Sequence, residues 1–410
     1  VNDCVVIGSG AGAGALTAGA VGTVAVGTSA LAALTSGADN IAIGQSAMSV
    51  HTTGSRNIAM GKSVMIDTDA HGDTLGSSDN VFIGHYAADG TWSNAASSQN
   101  VAVGNYSMTG VLAAALYNTC VGYSAGTSIT SGQSNVLLGR HAGLNITAGS
   151  NNVVIGMNTC DVTQDVDYIV AVGSDAMHTG ECSVDGTIAI GQNALSVETD
   201  ANNCTAIGYQ ALQQQANDST ASVYNTAVGF QAGRLGTTHI NSVYVGHLAG
   251  GEATITGQSN VIIGSESGKS FTSANENVAV GFHSQRLHTT GDYNTTLGAK
   301  TMQDTDAHGN IQDSSHNTFL GWNSGGGTWS GSTACSYNVG VGSEALEGAL
   351  DGAGYNVAVG WRAGDAITTG DKCTIVGAEA DPSAAGGINQ TVLGYGAQGT
   401  GDNKVILGNG

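Results

Sequence analysis

Short apolar stretches alternate with polar ones along this chain at a nearly fixed interval. A five-residue pattern close to Asn-Val-Ala-Val-Gly recurs twenty-three times, its glycine falling at Gly8, Gly27, Gly44, Gly61, Gly84, Gly104 and so on to Gly394 and Gly408. Most intervals are 17 or 18 residues. In every copy the residue before the glycine is apolar, from Ile7 to Leu407, and the residue three before it is Val, Ile or Thr. These two positions share one face of a strand. The residue between them is mostly Ala, with Phe82, Leu137, Tyr244, Ile262 and Phe319 as larger variants, so the opposite face is largely apolar too. Both faces are therefore expected to be covered. β-Branched residues at this density favour strand over helix, and the recurring glycine would interrupt any long helix.

Four positions before the glycine stands Asn in fourteen of the copies, among them Asn40, Asn57, Asn100, Asn135, Asn152, Asn260, Asn277 and Asn356, with Cys4, Cys204 and Cys373 as replacements. An amide repeated at one corner can hydrogen-bond its copies in the coils above and below, so a structural ladder is expected there. Three positions after the glycine the residue is Ala, Ser or Thr in every complete case but Val64, as suits a place where chain meets chain closely. The glycine itself supplies a tight turn.

About 17 residues make two short strands with two turns, or one flattened coil. The expected fold is all-β, a parallel β-solenoid of 23 coils. A single coil cannot stand alone: burying two or three aliphatic side chains yields roughly 1.5–3 kcal/mol each, whereas ordering the backbone costs ~1–2 kcal/mol per residue. Stability must come from stacked neighbours. Stacked at ~4.8 Å, the coils would make a rod on the order of 110 Å long, so residues 1–410 are expected to form one elongated domain.

A longer repeat overlies the short one. Residues 1–173 align with residues 239–410, and 174–238 complete a thirteen-coil unit. Asp67-Thr68-Asp69-Ala70-His71-Gly72 returns as Asp304-Thr305-Asp306-Ala307-His308-Gly309, and Thr91-Trp92 returns as Thr328-Trp329, both in the widest gaps. Duplication of a block is the simple origin. A start at Val1 and a stop in mid-pattern at Gly410 fit a window cut from a longer repetitive protein.

The formal net charge is −21 with only ten Lys plus Arg, which leaves no electrostatic footprint for nucleic acid or an anionic membrane. An acidic surface keeps a repetitive fold soluble and discourages strand edges from pairing. No apolar run approaches a membrane span. The seven cysteines form no Cys-x-x-Cys cluster, and buried thiols acting as small apolar residues are expected.

The motif, as in Asn40-Ile41-Ala42-Ile43-Gly44-Gln45-Ser46-Ala47 or Asn225-Thr226-Ala227-Val228-Gly229-Phe230-Gln231-Ala232, resembles the head repeats of trimeric autotransporter adhesins and the shaft repeats of bacteriophage tail fibres. The similarity runs over essentially the whole chain. It implies a left-handed parallel β-roll, three copies side by side, with one strand face inside the coil and the other against neighbouring subunits. The coil of about 17 residues is longer than the adhesin head pattern usually has, and neither a heptad stalk nor an anchor is visible. The motif encodes scaffold, so no catalytic or binding residue is implied by it.

Candidate chemistry lies in the wide gaps. Asp67, Asp69 and Asp73, with Asp304 and Asp306 in the second copy, alternate oxygen ligands before a glycine as the opening of a calcium loop does. His71 replaces a usual oxygen ligand and Ser78 stands where a closing Glu belongs, so a solvated acidic turn competes with a calcium or magnesium site. Trp92 and Trp329, near Tyr86 and Trp322, are candidates for stacking on sugar rings, against the alternative that each ring covers a loop. The histidines, among them His51, His85, His141, His247, His283 and His288, show no catalytic or zinc spacing and read as surface loop residues. No other cofactor is implied. A carboxylate pair assembled across coils would be needed for a glycan-cleaving tailspike, and the few irregular insertions argue against an enzyme. Ice binding would need Thr-x-Thr ranks, which do not recur. The function expected is an extracellular structural fibre on a virion tail or cell surface, self-assembled and attaching to a surface glycan or protein receptor. A purely structural extracellular filament is the alternative, and neither nucleic acid nor membrane insertion is expected.

Overall fold

The structure is a computed structural model that describes residues 3–14, 16–66, 76–93, 95–161, 165–178, 185–197, 203–215, 223–305, 313–329 and 333–408. It is all-β, with no helix among the described residues. The chain divides into two compact units, Val1–Asn203 and Cys204–Gly410. The boundary falls inside the thirteen-coil block rather than at either of its ends.

Every copy of the motif forms one strand of three residues ending just before the glycine. In the first unit these run from β1 (Val5–Ile7) to β11 (Ile188–Ile190), and in the second from β12 (Thr205–Ile207) to β23 (Val405–Leu407). Within each unit every strand pairs in parallel with the next along the chain, and equivalent motif positions lie side by side: Val101 beside Thr119, Ala102 beside Cys120, Val103 beside Val121; Val278 beside Thr295, Ala279 beside Thr296, Val280 beside Leu297. This is a β-solenoid with about 17 residues per turn.

Of the two expected alternatives, two short strands or one flattened coil, the described residues fit the second: besides this strand only isolated bridges form among them, such as Leu116 with Gln133 and Asp371 with Ile388, two residues before the ladder position. The cause is backbone conformation. Residues five before, two after and four after the motif glycine are left-handed in coil after coil, as at Arg56, Ser63 and Met65, with φ of 56°, 55° and 51°. Such residues turn the chain and cannot extend a ladder. The motif glycine is itself at φ between +130° and +145° in most coils, and a Cβ on Gly139 would stand 2.2 Å from the carbonyl oxygen of Gly156 in the next coil. Close stacking and the required φ both demand glycine there.

The faces of the strand separate cleanly. The middle residue is buried in nearly every coil, while the Val/Ile/Thr before it and the apolar residue after it are half-buried or exposed. The Ala column, with Phe82, Cys120, Leu137, Tyr244 and Phe319 in it, is thus the inside of the coil. The residues four after the glycine, including Met48, Met65, Met108 and Leu346, close the core from the other side.

The amide ladder forms as the spacing suggested. Asn57 donates from Nδ2 to Asn40 Oδ1 (3.1 Å) and to the Ser77 carbonyl (2.9 Å), while its backbone N–H also donates to Asn40 Oδ1 (3.0 Å). The pattern continues through Asn80, Asn100, Asn118 and Asn135 to Asn152. In the second unit it runs through Asn260, Asn277, Asn294, Asn317 and Asn338 to Asn356. Cys373 takes the next rung: its thiol donates to the Gly387 carbonyl (3.2 Å) and its N–H to Asn356 Oδ1 (2.9 Å).

Candidate functional site

Two columns of side chains face outward from the strands in each unit, one of Val, Ile or Thr and the other apolar throughout. Leu138, Leu297 and Leu320 are 45%, 50% and 41% exposed. Aromatic residues flank these columns on both sides. One residue before the ladder position stand Tyr117, Tyr168, Tyr224, Tyr293, Tyr337 and Tyr355, just after the motif glycine stand Tyr123, Tyr209, Phe230 and Phe282, and Tyr106 stands two after it, all exposed. A register of one residue per coil places like rings over one another. Tyr337 lies on Tyr355 with centroids 4.9 Å apart and planes within 6°, and His316 on Tyr337 at 4.7 Å. Tyr86, Tyr106, Tyr123 and His141 form a second run, and Tyr209, Phe230 and His247 a third. Isolated exposed apolar residues are ordinary on a protein surface, but here they recur from coil to coil as a band edged with aromatics.

The residues singled out in the wide gaps are placed differently. Trp92 and Trp329 are 1% exposed, each ring edge-on to the core phenylalanine of its coil, Phe82 at 5.9 Å and Phe319 at 6.2 Å. As placed, neither ring offers a face to a sugar. Their two-ring packing fills the widened coil, which is the loop-covering alternative. Asp67, Asp69, Asp73 and Asp306 lie outside the described residues. Asp304 is described, and its Oδ2 accepts from Thr328 Oγ1 at 3.1 Å. Among the described residues no group of three or more His, Cys, Asp or Glu side chains is arranged to hold a metal ion.

The histidines split. His85, His141, His247, His283 and His316 belong to the outward aromatic runs. His51 and His288, expected on surface loops, are fully buried, each with Nε2 3.0 Å from the carbonyl of the glycine three residues on, Gly54 and Gly291. A ring with that local acceptor fits the interior because its polar nitrogen is satisfied there. His239 is buried against Tyr244 (5.2 Å, 82°), and neither ring nitrogen has a hydrogen-bond partner among the described residues. Burial lowers its pKa to about 3 from 6.5. The folded state thus stays unprotonated while the unfolded chain takes a proton, so this group's contribution is intact above about pH 6.5 and is lost as pH falls toward 3. His239→Phe is expected to flatten the acid limb of stability by up to one proton's slope, read from urea midpoints of variant and parent at pH 7.5 and 4.5. Equal slopes in the two proteins would contradict it.

Charges gather at two places in the second unit. Glu266 receives Arg286 (2.8 Å) and Lys269 (3.2 Å), which hold its carboxyl below the usual range. Nearer the end, Glu344, Glu347, Asp365 and Asp381 surround Arg362. There burial first, and the Asp365 carboxylate next, push Asp381 up to about 7.

A second hydrogen-bond ladder was not anticipated from the sequence. Six positions before the motif glycine, Ser or Asp side chains accept backbone N–H groups of the preceding coil: Ser55 N–H donates to Ser78 Oγ (3.0 Å), Ser150 N–H to Asp167 Oδ1 (2.6 Å), and Asp292 N–H to Ser315 Oγ (2.9 Å). Its signal was present as Ser-x-Asn at Ser55-Arg56-Asn57, Ser78-Asp79-Asn80 and Ser98-Gln99-Asn100. Among the cysteines, Cys120, Cys335 and Cys373 are free thiols, and burial pushes Cys120 up to about 12 and Cys335 to about 11. Neither of these two is suited to act as a nucleophile at neutral pH. No family model and no curated protein matches the chain.

Proposed function

We propose that this chain is the repeating part of an extracellular fibre, three copies packed side by side through their outward strand faces, and that the fibre mediates attachment to a cell or surface. The observation that carries this reading is the aliphatic band with aromatic edges, which recurs in step with the coils of both units. A monomer gains nothing from holding Val, Ile and Leu in water at every coil, whereas a neighbour of the same repeat recovers roughly 25 cal/mol for each Å² of apolar surface it covers. A self-complementary repeat also needs no other partner to match its spacing. The resemblance of the motif to adhesin heads and phage fibre shafts favours three copies and a site outside the cell.

Placing a charge in the band of each unit tests this. The double variant Leu138→Glu, Leu297→Glu puts carboxylates at positions that are about half exposed in the single chain, so the coils remain folded. Its solution mass is expected to drop to that of one chain, 40.7 kDa, with an unchanged far-ultraviolet spectrum. An unaltered oligomer in the double variant would show that the band is not the interface.

A further inference from the structure

The chain has four tryptophans, two of them buried as described; the other two, Trp322 and Trp361, are 48% and 47% exposed. Both directly follow a motif glycine, so they occupy one column, two coils apart, about 10 Å at the spacing of parallel strands. The intervening coils are stacked in register there: Glu344 N–H donates to the Trp322 carbonyl (2.8 Å), Arg362 N–H to that of Ser343 (2.9 Å), and Glu379 N–H to that of Trp361 (2.8 Å). Ser343 occupies the column between the indoles, and Ala299 and Ala378 the coils beyond them. Small residues in the neighbouring coils keep this pair out of ring-on-ring runs such as Tyr86 to His141 and Tyr209 to His247. Neither indole touches another aromatic ring among the described residues, and Trp361 has the Arg362 guanidinium 5.8 Å from its centroid. The scaffold does not require them. The equivalent positions in the first copy are His85 and Tyr123, where Tyr106 packs into the intervening coil.

The residues that directly follow the indoles, Asn323 and Arg362, are held in place by carboxylates. Asn323 Nδ2 donates to Glu347 Oε1 (2.7 Å), and Arg362 Nε donates to Asp365 Oδ2 (2.7 Å) with Glu344 at 3.7 Å. We infer that Trp322 and Trp361 form a binding site for an extended neutral β-1,4-linked glycan. The C–H face of a pyranose carries partial positive charge and lies well on the negative face of an indole. Rings two coils apart match alternate sugars of an extended chain, and the amide, guanidinium and carboxylates beside them supply acceptors and donors for hydroxyls. The carboxylates of Glu344, Glu347 and Asp365 outnumber Arg362, so uronic or sialic acids are repelled. The site gives the fibre proposed above its attachment partner and rests on that reading for its role, while its existence does not depend on assembly. The chain turns at Gly321 and Gly360 before each indole, which places the column at the edge of the aliphatic band.

The test is titration of the purified chain, by calorimetry and tryptophan fluorescence, with cellohexaose, chitohexaose and an oligogalacturonate. Saturable binding of at least one neutral hexasaccharide is expected, with affinity falling at least tenfold in both Trp322→Ala and Trp361→Ala and with no binding of the oligogalacturonate. The inference is overturned if no neutral glycan binds, if affinity is unchanged in either variant, or if either substitution lowers the solution mass, since the rings would then belong to the subunit interface. A chain that binds glycan as a monomer keeps this site and removes the assembly, and an assembled chain that binds none does the reverse.

Discussion

Gly281→Ala is expected to be among the most damaging single substitutions in the second unit. The glycine sits at φ +137°, and a Cβ built on it would lie 2.2 Å from the carbonyl oxygen of Gly298 in the coil stacked beside it. Two penalties act together. An L-residue in this region of φ costs about 1–3 kcal/mol, and forcing apart a packed backbone costs about 1–3 kcal/mol more, so a loss of roughly 2–6 kcal/mol is expected. Gly401 separates the two penalties, because its φ is similar at +147° but nothing stands within 4 Å of the Cβ position. Gly401→Ala should therefore show the conformational part alone. Urea denaturation followed by circular dichroism of both variants measures the difference. Equal losses would mean that coil-to-coil contact at the motif glycine adds nothing.

Asn118→Leu in the first unit is expected to cost a comparable amount through lost hydrogen bonds rather than sterics. Asn118 Nδ2 donates to Asn100 Oδ1 (3.1 Å) and to the Gly132 carbonyl (2.7 Å), and its Oδ1 accepts both the backbone N–H (3.1 Å) and the Nδ2 (2.9 Å) of Asn135. Leucine has nearly the same shape and none of these groups. It leaves the Gly132 carbonyl and the Asn135 N–H without their side-chain partner in a fully buried corner, at about 1–3 kcal/mol each. Amide hydrogen exchange should show increased opening of Asn118 and its two neighbouring coils, with coils several rungs away unaffected, because repeats couple chiefly to their neighbours. Protection that is unchanged at Asn135 would show the ladder to be ornamental to stability.

The parts of the fold legible in the sequence are those in which one residue type is nearly compulsory. Only glycine fits the φ and the contact at Gly44 or Gly139, and only an amide donates downward and accepts from above as Asn57 does, so both columns stood out by identity. Which strand face lies inside did not stand out, because Val101 and Val103 are as apolar as Ala102 between them. Size was the available clue: a coil of about 17 residues has room inside for Ala at most positions, and the larger Phe82 and Phe319 fall in or beside the widened coils that also hold Trp92 and Trp329.

The choice between two strands and one flattened coil was hidden for a different reason. The left-handed positions are filled by residues as unlike as Arg56, Met65, Tyr117 and Leu346, so stacking rather than side-chain preference imposes the conformation. Chemistry was the least legible. Trp92 and Trp329 drew notice through duplication, yet duplication tracks the scaffold, and both proved to be core residues. Trp322 and Trp361 depart from the duplicated pattern and are the exposed pair.

The central claim is that the outward aliphatic band is covered by copies of the same chain. The direct test is the solution mass of the purified protein by light scattering after gel filtration, in calcium and in chelator. A mass near three times 40.7 kDa, with the Leu138→Glu, Leu297→Glu variant at a single chain, is the predicted result. A parent chain that elutes as a monomer of 40.7 kDa across the concentration range would contradict the account, because the band would then stand open to water with nothing to cover it.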